Sequence, residues 1–307
     1  MNQKLKGLLR RLSKTKQGRR VIAVMAIIAV ILGIAYALFP ERIDRFVSSL
    51  GLGDTAISKD AEVSFHFIDV GQGDATLIVT DEVHILVDCG IYDYHDELAE
   101  YIKKYTDKLD LFVFSHAHDD HMGGAAAIIN SFEVSEVLMT EYDSDSAFYG
   151  RAIDAIEDRE VKVTEAVAGN TYKVGDVNID VLGPMKDYGD ANNNSIIMRV
   201  EADGVSAMFS GDAEKTPEAD VAEKYGSALK CDIMKAGHHG SSTSNTRKFI
   251  DLVDPEYAVV SCGKDNSYGH PHREIRAMYK EMGIKWYRTD ESGTVVIEAI
   301  DGKLQKK

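Results

Sequence analysis

A short polar segment behind an apolar run carries a dense set of metal-ligating side chains. The run 111–114 is followed by Ser-His-Ala-His-Asp-Asp-His, an HxHxDH pattern formed by His116, His118, Asp120 and His121. Protonated imidazoles this close would repel one another, and neutral ones would each need a separate hydrogen-bond partner. A bound divalent metal removes both difficulties. The pattern therefore predicts a metal site.

The spacing within this segment favours two neighbouring ions. His116 and His118 lie two residues apart, so in an extended turn they point the same way and can share one metal. Asp120 and His121 begin the next predicted helix and can face a second ion. The expected chemistry is hydrolysis, because divalent ions lower the pKa of bound water to about 7. Zinc is the expected metal with histidine ligands, and manganese is the alternative because carboxylates share the site.

The elements that must hold these residues alternate between strand-like and helix-like segments. Strands are predicted at 63–69, 75–80, 84–89, 111–114, 178–182, 196–201, 205–209, 232–235 and 257–261. Helices are predicted at 96–105, 122–132, 216–225, 246–253 and 272–282. Short turns between the first strands favour antiparallel hairpins. The mixture of strands and helices indicates a layered α/β protein.

The N-terminal segment predicts attachment to the cell membrane. Residues 1–20 carry eight Lys or Arg and no acidic residue, and residues 21–39 contain no charge. At about 1.5 Å per residue this apolar stretch is about 28 Å long, close to the ~30 Å bilayer core. We predict a cytoplasmic tail at 1–20, a single transmembrane anchor at 21–39, a linker at 40–61 and an extracellular domain at 62–303. The alternative is cleavage near residues 35–37, which would release a secreted protein.

Composition limits the partners of the extracellular part. The chain has 307 residues, 44% of them hydrophobic, which excludes a disordered protein. Its net charge is −15, and since the tail contributes +8, the remainder carries −23. A surface so acidic repels a phosphate backbone, which argues against tight non-specific nucleic-acid binding but not against a phosphodiesterase. The three scattered cysteines exclude a disulfide framework and are expected in the core.

Further motifs carry a resemblance to a known family. In chain order they are FIDVGQGDA at 67–75, LVDCG at 86–90, SHAHDDHMGG at 115–124, NNS at 193–195, FSGDA at 209–213, KAGHHGS at 235–241 and GHPH at 269–272. This series resembles the metallo-β-lactamase superfamily and, within it, the hydrolase domain of ComEC-type competence proteins. The resemblance covers about residues 62–300. It implies an αββα sandwich with a site for two metal ions at one edge of the sheets.

The resemblance also implies a role for each motif residue. The implied ligands are His116 and His118 for the first ion, Asp120, His121 and His238 for the second, and Asp212 as the bridge. His238 is preferred over His239 because it comes first after an apolar strand. His239 would orient it or contact substrate. Many superfamily members have another histidine before the bridging aspartate. None occurs here between His121 and His238, so Asn194 or a water is expected in its place.

Other polar residues are expected to surround the ions. Asp88 is expected to accept a hydrogen bond from a ligand imidazole. Asp69 and Asp74 either contribute to the site or form the turn after the first strand. Ser241 either places a hydroxyl in the site or caps a helix. His270 either contacts a phosphate or protonates a leaving group, or it caps the following helix. The candidate catalytic residues are Asp120, His239 and His270.

Three functions stay open at this point. The resemblance implies a phosphodiesterase or nuclease that acts on single-stranded DNA or on an envelope phosphodiester, and the predicted anchor would hold it at the membrane. Hydrolysis of a lactone, thioester or β-lactam is the alternative, because a fold does not determine its substrate. The third function is a non-catalytic, metal-stabilised partner of a membrane DNA-uptake channel. The full ligand set favours an enzyme, since a binding module needs no open metal position.

Overall fold

The computed structural model describes residues 57–58, 60–141 and 144–307. The predicted tail and anchor, with most of the linker, lie outside the described residues. Among the residues that are described, no helix has the length and apolar character needed to cross a membrane. The predicted anchor therefore stays a prediction.

Strands and helices alternate along the described chain. The strands are β1 (Val63–Phe67), β2 (Thr76–Thr80), β3 (His84–Val87), β4 (Lys108–Leu109), β5 (Leu111–Val113), β6 (Glu133–Val134), β7 (Glu136–Met139), β8 (Lys162–Glu165), β9 (Thr171–Val174), β10 (Val177–Gly183), β11 (Ile197–Ala202), β12 (Val205–Phe209), β13 (Ile233–Lys235), β14 (Tyr257–Val260), β15 (Lys285–Arg288), β16 (Val295–Ile300) and β17 (Lys303–Lys306). The helices are α1 (His95–Ile102), α2 (Asp119–Met122), α3 (Ala125–Ser131), α4 (Ala147–Asp158), α5 (Lys215–Tyr225), α6 (Arg247–Val253), α7 (Arg273–Met282) and α8 (Thr289–Ser292). Short 3₁₀ turns lie at Tyr92–Tyr94, Gly226–Leu229 and Gly237–Gly240.

These strands form two large sheets. The first has the order β17-β16-β1-β2-β3-β5-β7-β8, and the second has the order β15-β14-β13-β12-β11-β10-β9. The first three strands pair as antiparallel hairpins, as predicted. The later strands of the first sheet, from β3 to β8, pair in parallel. In the second sheet β12 to β15 also pair in parallel.

Three apolar clusters hold the layers together. The central one joins the facing surfaces of the two sheets, for example Phe65 of β1 and Met198 of β11. A second lies between the first sheet and helices α1, α3 and α4. A third lies between the second sheet and helices α5, α6 and α7. The layer order is thus helix, sheet, sheet, helix, which confirms the predicted mixed α/β sandwich. All three cysteines are buried and free, as expected.

The predicted elements are present, with ends that differ by a few residues. The prediction missed α4 and the strands β15, β16 and β17, among others. β16 reads as a short apolar run, and it becomes a strand because it pairs antiparallel with β1 along its length. That pairing joins segments more than 200 residues apart, so local pattern does not reveal it.

Parallel pairing brings the predicted site residues to one sheet edge. The segment after β3 carries Asp88, and the segment after β5 carries the HxHxDH motif. The segments after β12 and β13 carry Asp212 and the His238–His239 pair. In open α/β sheets the carboxyl ends of parallel strands form the usual binding edge.

Candidate metal centre

Four buried side chains converge at this edge. Asp74, His121, Asp212 and His239 each offer one ligand atom, and these atoms lie within 4.8 Å of one another. Within the described part of the chain, three polar atoms of this cluster are buried without a hydrogen-bond partner: Oδ1 of Asp74, Nε2 of His121 and Oδ1 of Asp212. Each such atom costs about 1–3 kcal/mol if left unsatisfied. A divalent cation would satisfy Nε2 of His121 and Oδ1 of Asp212, whereas Oδ1 of Asp74 faces Nδ1 of His239 at 3.1 Å. Nitrogen with carboxylate oxygen is a donor set that suits zinc or manganese.

Asp88 orients His121 from behind. Its Oδ2 lies 2.8 Å from Nδ1 of His121, and its carboxylate also accepts from the backbone N–H and the hydroxyl of Ser115, both at 2.7 Å. Nδ1 of His121 therefore donates to Asp88, which leaves Nε2 as the ligand atom. Asp88 thus lies where the resemblance expects it.

Asp212 lies at the centre of the histidines. Its Oδ1 is 3.2 Å from Nε2 of His121, and its Oδ2 is 3.6 Å from Nε2 of His239 and 3.5 Å from Nε2 of His238. The backbone N–H of Asp212 donates to the Ser195 hydroxyl at 3.0 Å. A carboxylate with both oxygens facing imidazoles has the arrangement that a bridging ligand requires.

The structure places His239, rather than His238, inside the buried cluster. The His239 side chain is 2% exposed, and its Nδ1 lies 3.0 Å from the Ser261 carbonyl oxygen and 3.1 Å from Oδ1 of Asp74. The His238 side chain is 20% exposed, and its Nδ1 faces Glu214 and Thr243. Both rings reach Asp212, so His238 borders the site while His239 lies within it.

The first two histidines of the HxHxDH motif lie beside the cluster. The His116 ring centroid is 4.1 Å from that of His121, and Nε2 of His116 is 3.1 Å from Nδ1 of His118. His116 is buried, whereas His118 is exposed. Nε2 of His239 is 3.2 Å from Oδ2 of Asp120. The residues expected to hold two ions are therefore contiguous in space, with His118 on the open side.

The buried carboxylates of the site need positive charge close to them. Burial opposes protonation of His239, yet the carboxylates of Asp212 and Asp74 raise its pKa to about 10. Burial likewise opposes protonation of His121, and Asp212 and Asp88 raise its pKa. The pKa of His116 is instead lowered, by burial and by the neighbouring His121. Without metal, protons on His121 and His239 balance the carboxylates. A bound metal would displace them.

Lys235, the last residue of β13, belongs to the site but was not among the predicted site residues. The Lys235 side chain is 4% exposed, its Nζ donates to the Ala236 carbonyl at 2.8 Å, and it forms an ion pair with Asp74. A lysine ending the strand-like run Ile-Met-Lys is the signal that could have identified it. The pair shows that Asp74 belongs to the site rather than only to the turn after β1.

Asn194, expected in place of the missing histidine, instead makes its hydrogen bonds within its own loop. The amide nitrogen of Asn194 donates to Asp187 and Asp190, and its oxygen accepts from the backbone of Tyr188, so the amide serves its own loop. Ser195, the next residue, is the one that reaches Asp212.

The remaining expected residues lie around the turns and at the rim. Oδ1 of Asp69 accepts from the backbone N–H of Gly71 at 3.2 Å, the contact of a turn-forming aspartate. The Ser241 hydroxyl lies 3.0 Å from that of Thr243, within the loop that follows the histidine pair. His270 is 8% exposed, and its ring centroid lies 5.6 Å from that of His238. Of these three, only His270 faces the histidines of the site.

Comparison with known proteins assigns the family. The family model described as the metallo-beta-lactamase superfamily matches residues 68–264, which include the whole cluster. The chain belongs to this superfamily. With its buried cluster of candidate ligands, it is a metal-dependent hydrolase of the metallo-beta-lactamase superfamily related to competence proteins.

Curated relatives support the predicted link to competence proteins. ComE operon protein 3 of Bacillus subtilis is 29% identical over 259 residues, which is 78% of this chain and 33% of that protein. Competence protein ComA of Neisseria gonorrhoeae is 29% identical over 278 residues, covering 90% of this chain and 38% of that protein. Recombination protein 2 of Haemophilus influenzae is 28% identical, and the match covers 78% of this chain and 29% of that protein. The chain thus spans about a third of the length of these relatives.

Solved structures share the metallo-beta-lactamase fold at low identity. The metallo-beta-lactamase fold protein YhfI from Bacillus subtilis has a TM-score of 0.53 at 11% identity, covering 80% of this chain and 100% of that chain. The metallo hydrolase Igni18 from Ignicoccus hospitalis has a TM-score of 0.52 at 17% identity, covering 77% of this chain and 99% of that chain. The diiron β-hydroxylase CmlA from Streptomyces venezuelae has a TM-score of 0.53 at 14% identity, covering 80% and 55%. These likenesses show the fold alone.

Proposed function

We propose that this chain is a metal-dependent phosphodiesterase anchored in the cell membrane through residues 21–39, with its catalytic domain outside the cytoplasm. The observation that carries the proposal is the buried cluster of Asp74, His121, Asp212 and His239, with Asp120 in contact with it. Single-stranded DNA is the first substrate to test, because the relatives are named as competence and recombination proteins. An envelope phosphodiester is the second, and a membrane channel is the proposed partner.

The proposal assigns the ligands by their contacts. His116 and His118 would hold one ion, and His121, His239 and Asp120 the other, with Asp212 between them. Bound divalent ions would supply Lewis acidity for activating water and neutralising phosphate oxygens. Asp74 would hold the Nδ1 side of His239, where the two atoms are 3.1 Å apart.

His270 is proposed to contact the phosphate. Burial and the neighbouring imidazoles His239 and His238 lower the pKa of His270 to about 4, so its ring is neutral at pH 7. A neutral imidazole is a poor proton donor, but its N–H can donate a hydrogen bond to a phosphate oxygen. The His270 ring lies beside the histidines of the site, with centroids 5.6 Å from His238 and 6.1 Å from His239. We therefore propose substrate contact rather than leaving-group protonation.

The test uses the full chain purified in detergent. After treatment with chelator, hydrolysis of bis-p-nitrophenyl phosphate and of single-stranded DNA is measured with added zinc or manganese. The variants are Asp120→Ala and His118→Ala, and the control is His84→Ala on β3, outside the cluster. We expect metal-dependent hydrolysis that both site variants abolish and the control retains.

Other outcomes redirect or contradict the proposal. Two bound metals with no phosphodiester hydrolysis would direct the search to lactone, thioester or β-lactam substrates. A chain that binds no metal and hydrolyses nothing would contradict the enzyme and favour a binding module.

A further inference from the structure

The turn that carries the two site histidines has an unusual backbone. His238 and His239 are consecutive residues in the left-handed region, with φ of 48° and 53°. Non-glycine residues rarely adopt this conformation, because it strains the backbone. Two in succession persist only if other groups hold the turn. The conformation matters because it directs His239 into the buried cluster.

Asn245 holds this turn at both ends. Its Oδ1 accepts from the backbone N–H of Gly237 at 3.0 Å, and its Nδ2 donates to the Gly237 carbonyl at 2.8 Å. The same Nδ2 donates to the Ser241 carbonyl at 3.1 Å. One amide thus joins the residue before the histidine pair to a residue just after it. Asn245 is 3% exposed. If its amide were removed, the backbone groups of the turn would lose hydrogen bonds that water cannot readily replace.

Two further buried side chains hold Asn245 in turn. Oε1 of Glu218, on α5, accepts from the backbone N–H of Asn245 at 2.6 Å, and Oε2 accepts from that of Thr246 at 2.8 Å. The Tyr279 hydroxyl, on α7, donates to Oδ1 of Asn245 at 3.0 Å. Glu218 is 1% exposed and Tyr279 is 0% exposed. The turn is therefore tied to two outer helices through one asparagine.

We propose that Asn245, held by Glu218 and Tyr279, is a positioning residue that fixes His239 for metal binding. The proposal rests on the proposed metal-dependent function of the site. The Asn245 side chain is hydrogen-bonded to the turn and to Tyr279. It therefore acts on the metal-ligand cluster through the backbone of the histidine pair. Loss of Asn245 would let the strained turn relax. The His239 ring would then move away from the other side chains of the buried cluster.

The test measures metal affinity directly. The dissociation constant for manganese and for zinc is determined by competition with a chelating dye, using the full chain in detergent. For Asn245→Ala we expect metal binding about ten- to a hundredfold weaker, the usual effect of losing an outer hydrogen-bond partner. The matched control is Asn130→Ala. The exposed Asn130 amide donates to the Ala126 carbonyl within its own helix, so this variant should keep the wild-type dissociation constant.

Milder variants separate positioning from folding. Tyr279→Phe removes one hydroxyl and should weaken metal binding by about fivefold, the equivalent of one hydrogen bond. Glu218→Gln keeps an acceptor oxygen, so its metal affinity should stay closer to the wild-type value than that of Glu218→Ala. The free energy of unfolding is measured in parallel without metal. Wild-type metal affinity in folded Asn245→Ala and Tyr279→Phe would overturn the proposal, even if both are less stable.

The readouts also separate this inference from the function. If the wild-type chain binds metal but hydrolyses no phosphodiester, the proposed function fails, and the comparison of dissociation constants still decides the role of Asn245.

Discussion

Nδ1 of His121 lies 2.8 Å from a carboxylate oxygen of Asp88, and neither side chain is more than 2% exposed. The contact joins the segment after β3 to the motif after β5. It selects the tautomer of His121 and turns Nε2 towards Asp212, 3.2 Å away. Metal affinity should therefore depend on a residue that does not itself bind the ion.

Replacement of Asp88 tests this dependence. Asp88→Asn keeps the size of the side chain and tolerates the left-handed φ of 57° at this position. We expect metal binding about ten- to a hundredfold weaker, because the amide holds the His121 tautomer less firmly than a carboxylate does. The measurement is a chelator competition on the folded protein. The control is Asp110→Asn, because Asp110 forms a surface ion pair with Lys108. An unchanged metal dissociation constant in Asp88→Asn would contradict the role of Asp88 in orienting His121.

The buried pair of Lys235 and Asp74 predicts a large loss of stability. Lys235→Met removes one of the two cations that face the buried Asp74 carboxylate and leaves only the His239 imidazole beside it. We expect the free energy of unfolding to fall by about 3–5 kcal/mol in the absence of metal. Urea denaturation measures it. Lys285→Met, which breaks an exposed pair with Glu256, should cost less than about 1 kcal/mol.

A double variant gives the outcome that would contradict this interpretation. Adding Asp74→Asn to Lys235→Met removes the buried carboxylate that has lost its lysine partner and should restore part of the lost stability. If the double variant is no more stable than Lys235→Met, the loss arises from packing and not from charge.

Glu218 should make stability depend on pH. Burial raises its pKa from 4.5 to about 7, so between these values the folded chain binds a proton that the unfolded chain has released. The free energy of unfolding therefore falls as pH rises through this window, by at most about 3 kcal/mol from this group. Below pH 4.5 the full contribution is present, and above pH 7 it is lost.

Glu218→Gln removes the titrating group and should remove this slope. Urea denaturation of both proteins at a series of pH values, with chelator present, measures the difference. The gap between the two curves should change between pH 4.5 and 7 and stay constant above pH 7. Curves that remain parallel throughout would show that Glu218 does not titrate in this range.

Two glycines should respond in opposite ways to alanine. A β-carbon on Gly73 would collide with the backbone oxygen of Asp120, in the metal-binding motif, whereas one on Gly150 in α4 would meet nothing within 4 Å. Gly73→Ala should displace the motif, weaken metal binding and lower stability by about 1–3 kcal/mol. Gly150→Ala should raise stability by about 0.5–1 kcal/mol, because alanine favours the helix. Thermal unfolding with and without metal measures both, and a Gly73→Ala protein with wild-type metal affinity would contradict the close approach.

The family, the layer order and most elements could be predicted from the sequence. Motifs such as HxHxDH are local, and hydrophobic runs mark strands wherever burial is the main determinant. β16 and β17 were missed because their strand character depends on pairing with distant segments. Domain limits and the anchor at 21–39 stay predictions from charge and hydropathy.

What the sequence determined by itself is the identity of the ligand-bearing segments. His116, His118 and His121 lie within one motif, so their proximity follows from chain connectivity. Three folded contacts could not be read in this way: Asp74 with Lys235, Asp212 with His121, and His239 with Asp120. These join residues from different sheets, and they form only because both sheets bring their strand ends to one edge.

The choice between His238 and His239 shows most clearly what tertiary structure decides. The two residues are identical and adjacent, so composition and spacing cannot separate them. Their left-handed turn, held by Asn245, Glu218 and Tyr279, directs His239 inwards and leaves His238 at the border of the site. Which imidazole joins the cluster therefore depends on backbone dihedral angles, and those angles are imposed by buried hydrogen bonds from Asn245, which two helices hold in place.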